Sequence, residues 1–247
     1  MTLSGRQALH ALAAGAFAIT MIGTAQRAEA APVPVELVLA IDASGSISNS
    51  NYLLQQQAYA NVLGGSLITT DGKIAIGIVQ FGADVETVFE MTVIDSAAAK
   101  NSLLAAITGM NRSGISTGAT AIGSAINVAQ ALLAGFDHAN GNQVIDVSTD
   151  GANNTGANLP SAVSNANAAN TVINCLGIGG AANCGFVNTA ANLGLGGFAA
   201  FADTFDDFEA TLDQKIRQET GQVPEPTTML LLGGGVLGLA LRRRIRA

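Results

Sequence analysis

Glu36-Leu37-Val38-Leu39-Ala40-Ile41-Asp42-Ala43-Ser44-Gly45-Ser46 is the stretch that decides the fold. Leu37 to Ile41 is an unbroken apolar run, short and without the alternation of a half-exposed strand, which predicts a strand covered on both faces. It stops at an acidic residue followed by small and hydroxyl residues, so a polar loop is expected at the strand's carboxyl end. Three more runs repeat the pattern: Lys73 to Phe81, Gln143 to Thr149, and Thr171 to Gly177. Val85 to Met91 alternates more and is expected as an edge hairpin partner. Helical spacing fills the gaps. Ile122, Ile126, Ala129, Leu133 and Phe136 recur at helical intervals, as do Phe205, Phe208, Leu212 and Ile216. Thr204-Phe205-Asp206-Asp207 reads as a capping-box-like start with Asp in place of Glu, and Asp95 before Ser96-Ala97-Ala98-Ala99 reads as an N-cap. Strand–helix alternation over about residues 35–220 predicts an α/β fold: a single doubly wound, mostly parallel sheet with helices on both faces. Ligands bind such sheets outside the carboxyl ends of the strands.

Composition narrows the function. The chain has 247 residues, 49% hydrophobic and 12% charged, with a formal charge of −7, two His (His10 and His138) and two Cys (Cys175 and Cys184). Disorder is excluded by the hydrophobicity, a basic nucleic-acid surface by the charge, and a three-His zinc site by count. The two ends distort these averages. Residues 31–222 alone carry sixteen acidic and five basic side chains, a net charge near −11.

Residues 1–30 read as a signal peptide: Arg6 is followed by an almost uncharged segment from Ala8 to Ala25, and Ala28-Glu29-Ala30 fits a small-x-small cleavage site. Residues 31–222 form the domain, and export makes a disulfide between Cys175 and Cys184 chemically permissible, against two free thiols. In residues 223–247, Val223-Pro224-Glu225-Pro226 breaks any helix. Thr227 to Leu241 is uncharged and mostly apolar, and Arg242-Arg243-Arg244-Ile245-Arg246 closes the chain. Fifteen helical residues span about 22 Å, short of the roughly 30 Å bilayer core. Pro-Glu-Pro, an apolar stretch and arginines, in that order, resemble the PEP-CTERM sorting signal. The resemblance implies export from a Gram-negative cell to the envelope, outer surface or medium. It also implies processing by an exosortase-type membrane protease and transient membrane association through residues 227–241. A plain C-terminal anchor is the alternative.

The chemistry sits at strand ends. Asp42, Ser44 and Ser46 follow the first strand, Asp150 follows Thr149 on a later one, and Thr120 lies in Gly118-Ala119-Thr120-Ala121-Ile122-Gly123 at a predicted helix start. If the two strands are neighbours, Asp42 and Asp150 emerge about 4.8 Å apart. Two carboxylates and three hydroxyls suit a hard divalent cation, Mg²⁺ first, with Mn²⁺ or Ca²⁺ as alternatives; without His or thiol, zinc and copper suit it poorly. The set leaves such a cation undercompensated, or at best neutralised. An outside carboxylate then completes the shell.

Asp-x-Ser-x-Ser, a Thr in a Gly-rich loop and Thr-Asp-Gly, in this order, resemble the von Willebrand factor type A domain, a Rossmann-like fold with a metal-ion-dependent adhesion site. The resemblance implies that Ser44, Ser46 and Thr120 contact the ion directly or through water, while Asp42 and Asp150 act through water and orient the hydroxyls. Thr117 competes with Thr120 for the Thr position; Thr120 is preferred because Thr-x-Ile-Gly-x-Ala-Ile continues as in the family. Val144 to Asn154 and Phe205 to Phe208 further resemble a bacterial branch of the superfamily without assigned function. The expectation is an exported, non-enzymatic, metal-dependent binding module that grips an acidic group on a protein or matrix partner, with no nucleic acid involved. A metal-dependent hydrolase and a structural envelope protein are the alternatives.

Three further features need an account. Asp146 interrupts an apolar strand about 13 Å from Asp150, too far to share an ion; a structural polar contact and a raised pKa are its two readings. Gly177-Ile178-Gly179-Gly180-Ala181-Ala182, with Asp203 beyond it, matches a dinucleotide fingerprint but lies near the end of the domain, where a small-residue loop is the better reading. His138 beside Asp137 reads as a solvated loop pair rather than a catalytic dyad.

Overall fold

The computed structural model describes residues 33–136, 141–179 and 181–222, with side chains left out at 181–183. Its elements follow in the order β1 (Val35–Asp42), α1 (Asn49–Gly64), β2 (Ile74–Phe81), β3 (Val85–Val93), α2 (Ala97–Gly109), α3 (Ile122–Gly135), β4 (Asn142–Thr149), α4 (Leu159–Ala168), β5 (Val172–Ile178), a 3₁₀ turn (Ala181–Val187), α5 (Ala190–Gly194), β6 (Ala199–Ala202) and α6 (Phe208–Glu219). The strands form one sheet in the order β3-β2-β1-β4-β5-β6. β3 runs antiparallel to β2 at the edge, and the other pairings are parallel.

The apolar runs of β1 and β2 have a direct cause: both strands are buried along almost their whole length. Leu37, Leu39 and Ile41 point to a core completed by Tyr59, Leu63, Leu103, Ile107, Phe208, Leu212 and Ile216 of α1, α2 and α6. Val38 and Ala40 point the other way, to Ile122, Ile126, Leu133, Val163 and Ala166 of α3 and α4. That is the double winding in side-chain terms.

Two helix starts differ from the sequence expectation. The cap of α2 is Ser96, whose hydroxyl accepts from the Ala99 N–H at 3.2 Å, rather than Asp95. Thr204 precedes α6 by a full turn: its hydroxyl donates to Asp207 Oδ2 at 2.7 Å, and Asp207 occupies the cap position without a side-chain cap bond. Cys175 on β5 and Cys184 in the 3₁₀ turn are buried and disulfide-bonded, their Cα atoms 5.7 Å apart.

Asp146 has its partner across the sheet face. Its Oδ1 lies 2.5 Å from the ammonium of Lys215 on α6, and neither side chain is exposed. Lys215 also pairs with Glu219 one turn on, and Asn174 Nδ2 donates to Glu219 Oε1 at 2.8 Å. Of the two readings of Asp146, the structural polar contact is the one the fold supplies. Glu219 carries the titration. Burial first, then the negative charge of Asp146, push its carboxyl from 4.5 to about 7, against the pull of Lys215 and Asn174.

The sign for stability follows. Glu219 binds its proton more tightly folded than unfolded, so its contribution is complete below about pH 4.5 and lost as the pH rises through about 7. Denaturant titrations should show stability falling toward pH 8 by on the order of 2 kcal/mol from this group. Glu219→Gln should flatten that fall; an unchanged slope in the variant would refute the assignment.

Candidate functional site

β1 and β4 are neighbours in the sheet, but the chain continues from β1 outward to β2 and from β4 the opposite way to β5. This reversal opens a crevice at their carboxyl ends. Asp42 is the last residue of β1 and is fully buried. Its Oδ1 accepts from the Ser44 N–H at 2.8 Å and its Oδ2 from the Thr149 hydroxyl at 2.6 Å. Its carbonyl accepts from Gln55 Nε2 of α1 at 2.9 Å. The Ser44 and Ser46 hydroxyls are 3.1 Å apart, and Ser46 Oγ donates to Asp150 Oδ1 at 2.6 Å. Four of the five expected residues are thus joined from β1 to β4 by direct bonds.

Thr120 completes the group from the α3 side. A Cβ placed on Gly151 would stand 3.5 Å from Thr120 Oγ1 and 3.9 Å from Ser46 Oγ, so the two hydroxyls converge over a position without a side chain. Thr120 is held there by its N–H, which donates to Asn154 Oδ1 at 2.8 Å, and by its carbonyl, which accepts from the Asn154 N–H at 3.0 Å. Thr117 takes another part: its carbonyl accepts from the Gly45 N–H at 2.7 Å and braces the Asp-x-Ser-x-Ser loop through the main chain.

The loop has supports that sequence reasoning missed. Arg112, in the α2–α3 connection, donates to the carbonyls of Ile47 at 2.8 Å and Ser44 at 3.3 Å and to the Asn49 side chain. Its guanidinium sits 4.9 Å from the centroid of the Tyr52 ring, and the Tyr52 hydroxyl donates to Gln80 Oε1 at 2.8 Å. Arg112 is the lone basic residue in the long acidic and neutral stretch between Lys100 and Lys215, and that isolation is the signal that could have marked it.

Burial dominates the electrostatics of Asp42. It pushes the carboxyl up to about 6; the bonds from Ser44 and Thr149 oppose this, and the charge of Asp150 adds to it. Among the described residues no group of three or more His, Cys, Asp and Glu side chains comes together. The converging donors are carboxylate and hydroxyl oxygens throughout, a chemistry that fits a hard divalent cation.

The weaker sequence signals resolve as follows. The Gly177–Ala182 segment leaves β5 into the 3₁₀ turn instead of an α-helix, so it lacks the helix N-terminus that a pyrophosphate needs. His138 and Asp137 lie outside the described residues, as do residues 1–32 and 223–247. Among the described residues no helix is long and apolar enough to cross a membrane.

Comparison with known proteins agrees with this architecture. Residues 32–224 match the family model described as "Protein of unknown function (DUF1194)", and residues 222–244 match the PEP-CTERM protein-sorting motif. No curated protein matches the chain. Proximal thread matrix protein 1 of the mussel byssus is similar in fold, with a TM-score of 0.61 and 19% identity over 75% of this chain and 48% of that one. The chain thus spans about half the length of that protein, which has also been solved with a zinc-occupied MIDAS motif. BatB from Bacteroides thetaiotaomicron gives a TM-score of 0.57 and 19% identity over 76% of this chain and 99% of its own. A von Willebrand factor type A protein from Catenulispora acidiphila gives 0.57 and 19% over 75% and 42%. At these identities the likeness establishes the fold. The chain belongs to the DUF1194 family, shares its fold with a von Willebrand factor type A protein, and carries a PEP-CTERM sorting motif.

Proposed function

We propose that the domain is an exported, non-enzymatic binding module that grips an acidic group on a protein or matrix partner through a divalent cation. The observation that carries this reading is the oxygen chain from Ser44 through Ser46 to Asp150 across the carboxyl ends of β1 and β4. Ser44, Ser46 and Thr120 hold the cation directly or through water, and Asp42 and Asp150 orient the hydroxyls and supply charge. The cation supplies a positive centre with a place for an outside carboxylate. A net charge near −11 over residues 31–222 repels acidic partners everywhere else, so the bound cation also sets where such a partner docks.

Binding is favoured over hydrolysis by the state of the carboxylates. Both oxygens of Asp42 already accept protein hydrogen bonds, and Asp150 accepts from Ser46. They are engaged in holding donors, not poised to take a proton from water. The sorting motif supports delivery to the envelope or exterior of a Gram-negative cell through exosortase-type machinery.

Calorimetry tests the reading. The protein should bind Mg²⁺, with Mn²⁺, Ca²⁺ and Zn²⁺ run beside it, and Ser46→Ala should weaken the preferred ion at least 10-fold. Capture of envelope or matrix material should then stop with chelator. Absence of binding for all four ions would end the proposal, and metal-dependent phosphoester turnover lost in the variant would replace it with the hydrolase.

A further inference from the structure

The loop between β4 and α4 is bonded along its inner side. Asn153 Oδ1 accepts from the Gly123 N–H at 2.9 Å, Asn154 Oδ1 from the Thr120 N–H at 2.8 Å, and Asn158 Oδ1 from the Ser161 N–H at 3.0 Å as the cap of α4. The Ala157 N–H donates to Ser124 Oγ at 2.9 Å. Two glycines permit this close seating on α3. A Cβ on Gly123 would come 2.4 Å from the Ala157 carbonyl, and Gly156, at φ 75°, would press one to 2.3 Å from Ser124 Oγ. The backbone is therefore fixed before any ligand arrives.

The same loop lines an open groove of about 570 Å³, together with Gly185 and Phe186. In all three asparagines the oxygen is used inward, and among the described residues none accepts from their amide N–H groups. Asn153, Asn154 and Asn158, whose amide N–H groups have no acceptor among the described residues, thus line one groove together with Thr155 and the partly buried Phe186. Among the described residues the lining carries no charged side chain, although the domain as a whole is strongly acidic.

We infer that this groove binds a neutral, hydroxyl-rich saccharide chain. Amide N–H donors meet sugar hydroxyl oxygens, the ring offers an apolar face to the C–H side of a pyranose, and the uncharged lining matches an uncharged ligand. A loop already fixed in place loses little conformational freedom on binding, which keeps weak individual contacts useful. The site uses none of the five residues proposed to hold the cation, so the domain carries two separate recognition surfaces at one pole.

Native affinity electrophoresis in gels containing dextran, soluble starch, galactomannan or xyloglucan tests the assignment. At least one polymer should retard the protein, and EDTA should leave the retardation unchanged. Asn153→Asp and Asn158→Asp keep the inward-accepting oxygen and the helix cap but replace the outward amide donor with an oxygen. Each should weaken retardation about 10-fold, more together, with the thermal midpoint held. Asn158→Ser, which also preserves the cap, serves as the second variant if the double does not fold. Retardation by no polymer, or undiminished retardation of the folded variants, overturns the assignment. Retardation abolished by EDTA overturns it as well and moves the ligand to the cation site; loss of ion binding with retained retardation leaves it standing.

Discussion

Replacing Lys215 by methionine is expected to destabilise the domain by about 3–5 kcal/mol, read as a lower urea midpoint with unchanged slope. Lys215 is enclosed between Asp146 and Glu219, all three side chains being unexposed. Removing the ammonium leaves Asp146 on β4 as a buried carboxylate without its cation, and its Oδ2 has no hydrogen-bond partner among the described residues. That is a large part of an ordinary domain's total stability. The ion pair as a whole carries much less. Removing both charges, with Asp146→Leu beside Lys215→Met, should restore most of the loss at about pH 5, where the raised Glu219 carboxyl keeps its proton and no charge is left buried alone. The double-mutant cycle separates the pair from the packing of the Lys stem. A single-variant loss below about 1 kcal/mol, or a double variant worse than the single, would refute this account.

Asp146 stands out as a charge in an apolar strand, yet its partner is far along the chain. Lys215 carries the complementary signal: it falls on the apolar face that Phe208, Leu212 and Ile216 define in α6. An acid in an apolar strand and a base on an apolar helix face, each costly alone, predict each other. The parallel strands were legible for a related reason. Burial on both faces turns them into long apolar runs rich in Val, Ile and Leu, whereas β6 is Ala199-Ala200-Phe201-Ala202 and offers no such run. α1 was not found because its buried face includes Gln55, whose amide is consumed by the Asp42 carbonyl. In the site, the five oxygen-bearing residues could be read because loops at strand ends keep their order in the sequence. Thr149, Gln55 and Arg112, which hold those residues in place, act across elements and leave no spacing to read.

Asp42→Asn should leave the fold intact and cut the domain's response to divalent cations to a fraction of the wild-type value. The hydrogen bonds around Asp42 permit the exchange. The asparagine oxygen keeps the Ser44 N–H that Oδ1 now accepts at 2.8 Å. The new amide can donate to Thr149 Oγ1, which at present donates to Oδ2 at 2.6 Å. Thr149 Oγ1 already lies 3.2 Å from the Gly151 carbonyl and can turn its hydrogen there. No existing buried donor loses its partner, so the cost is confined to the second N–H of the new amide. Asp42→Ala lacks this balance: it strands the Ser44 N–H and the Thr149 hydroxyl, so a loss of ion binding in that variant confounds chemistry with folding. What Asn does remove is one of the two negative charges in the oxygen set. Removal of a supporting carboxylate lowers metal affinity roughly 10- to 100-fold in comparable sites. At a cation concentration about 100 times the dissociation constant, ligand linkage stabilises the wild-type protein by about 2.7 kcal/mol. For a domain of this size that is a rise in thermal midpoint of roughly 5–10 °C. The wild-type protein should show this rise with its preferred cation and lose it in EDTA. Without the ion, Asp42→Asn should melt near the EDTA-treated wild type, and a roughly 10- to 100-fold loss of affinity leaves it only about 0.4–1.4 kcal/mol of linkage, a rise of roughly 1–6 °C when the same ion concentration is added. A variant that still responds fully to the ion removes Asp42 from the site, and a wild-type protein that responds to no divalent ion removes the site itself.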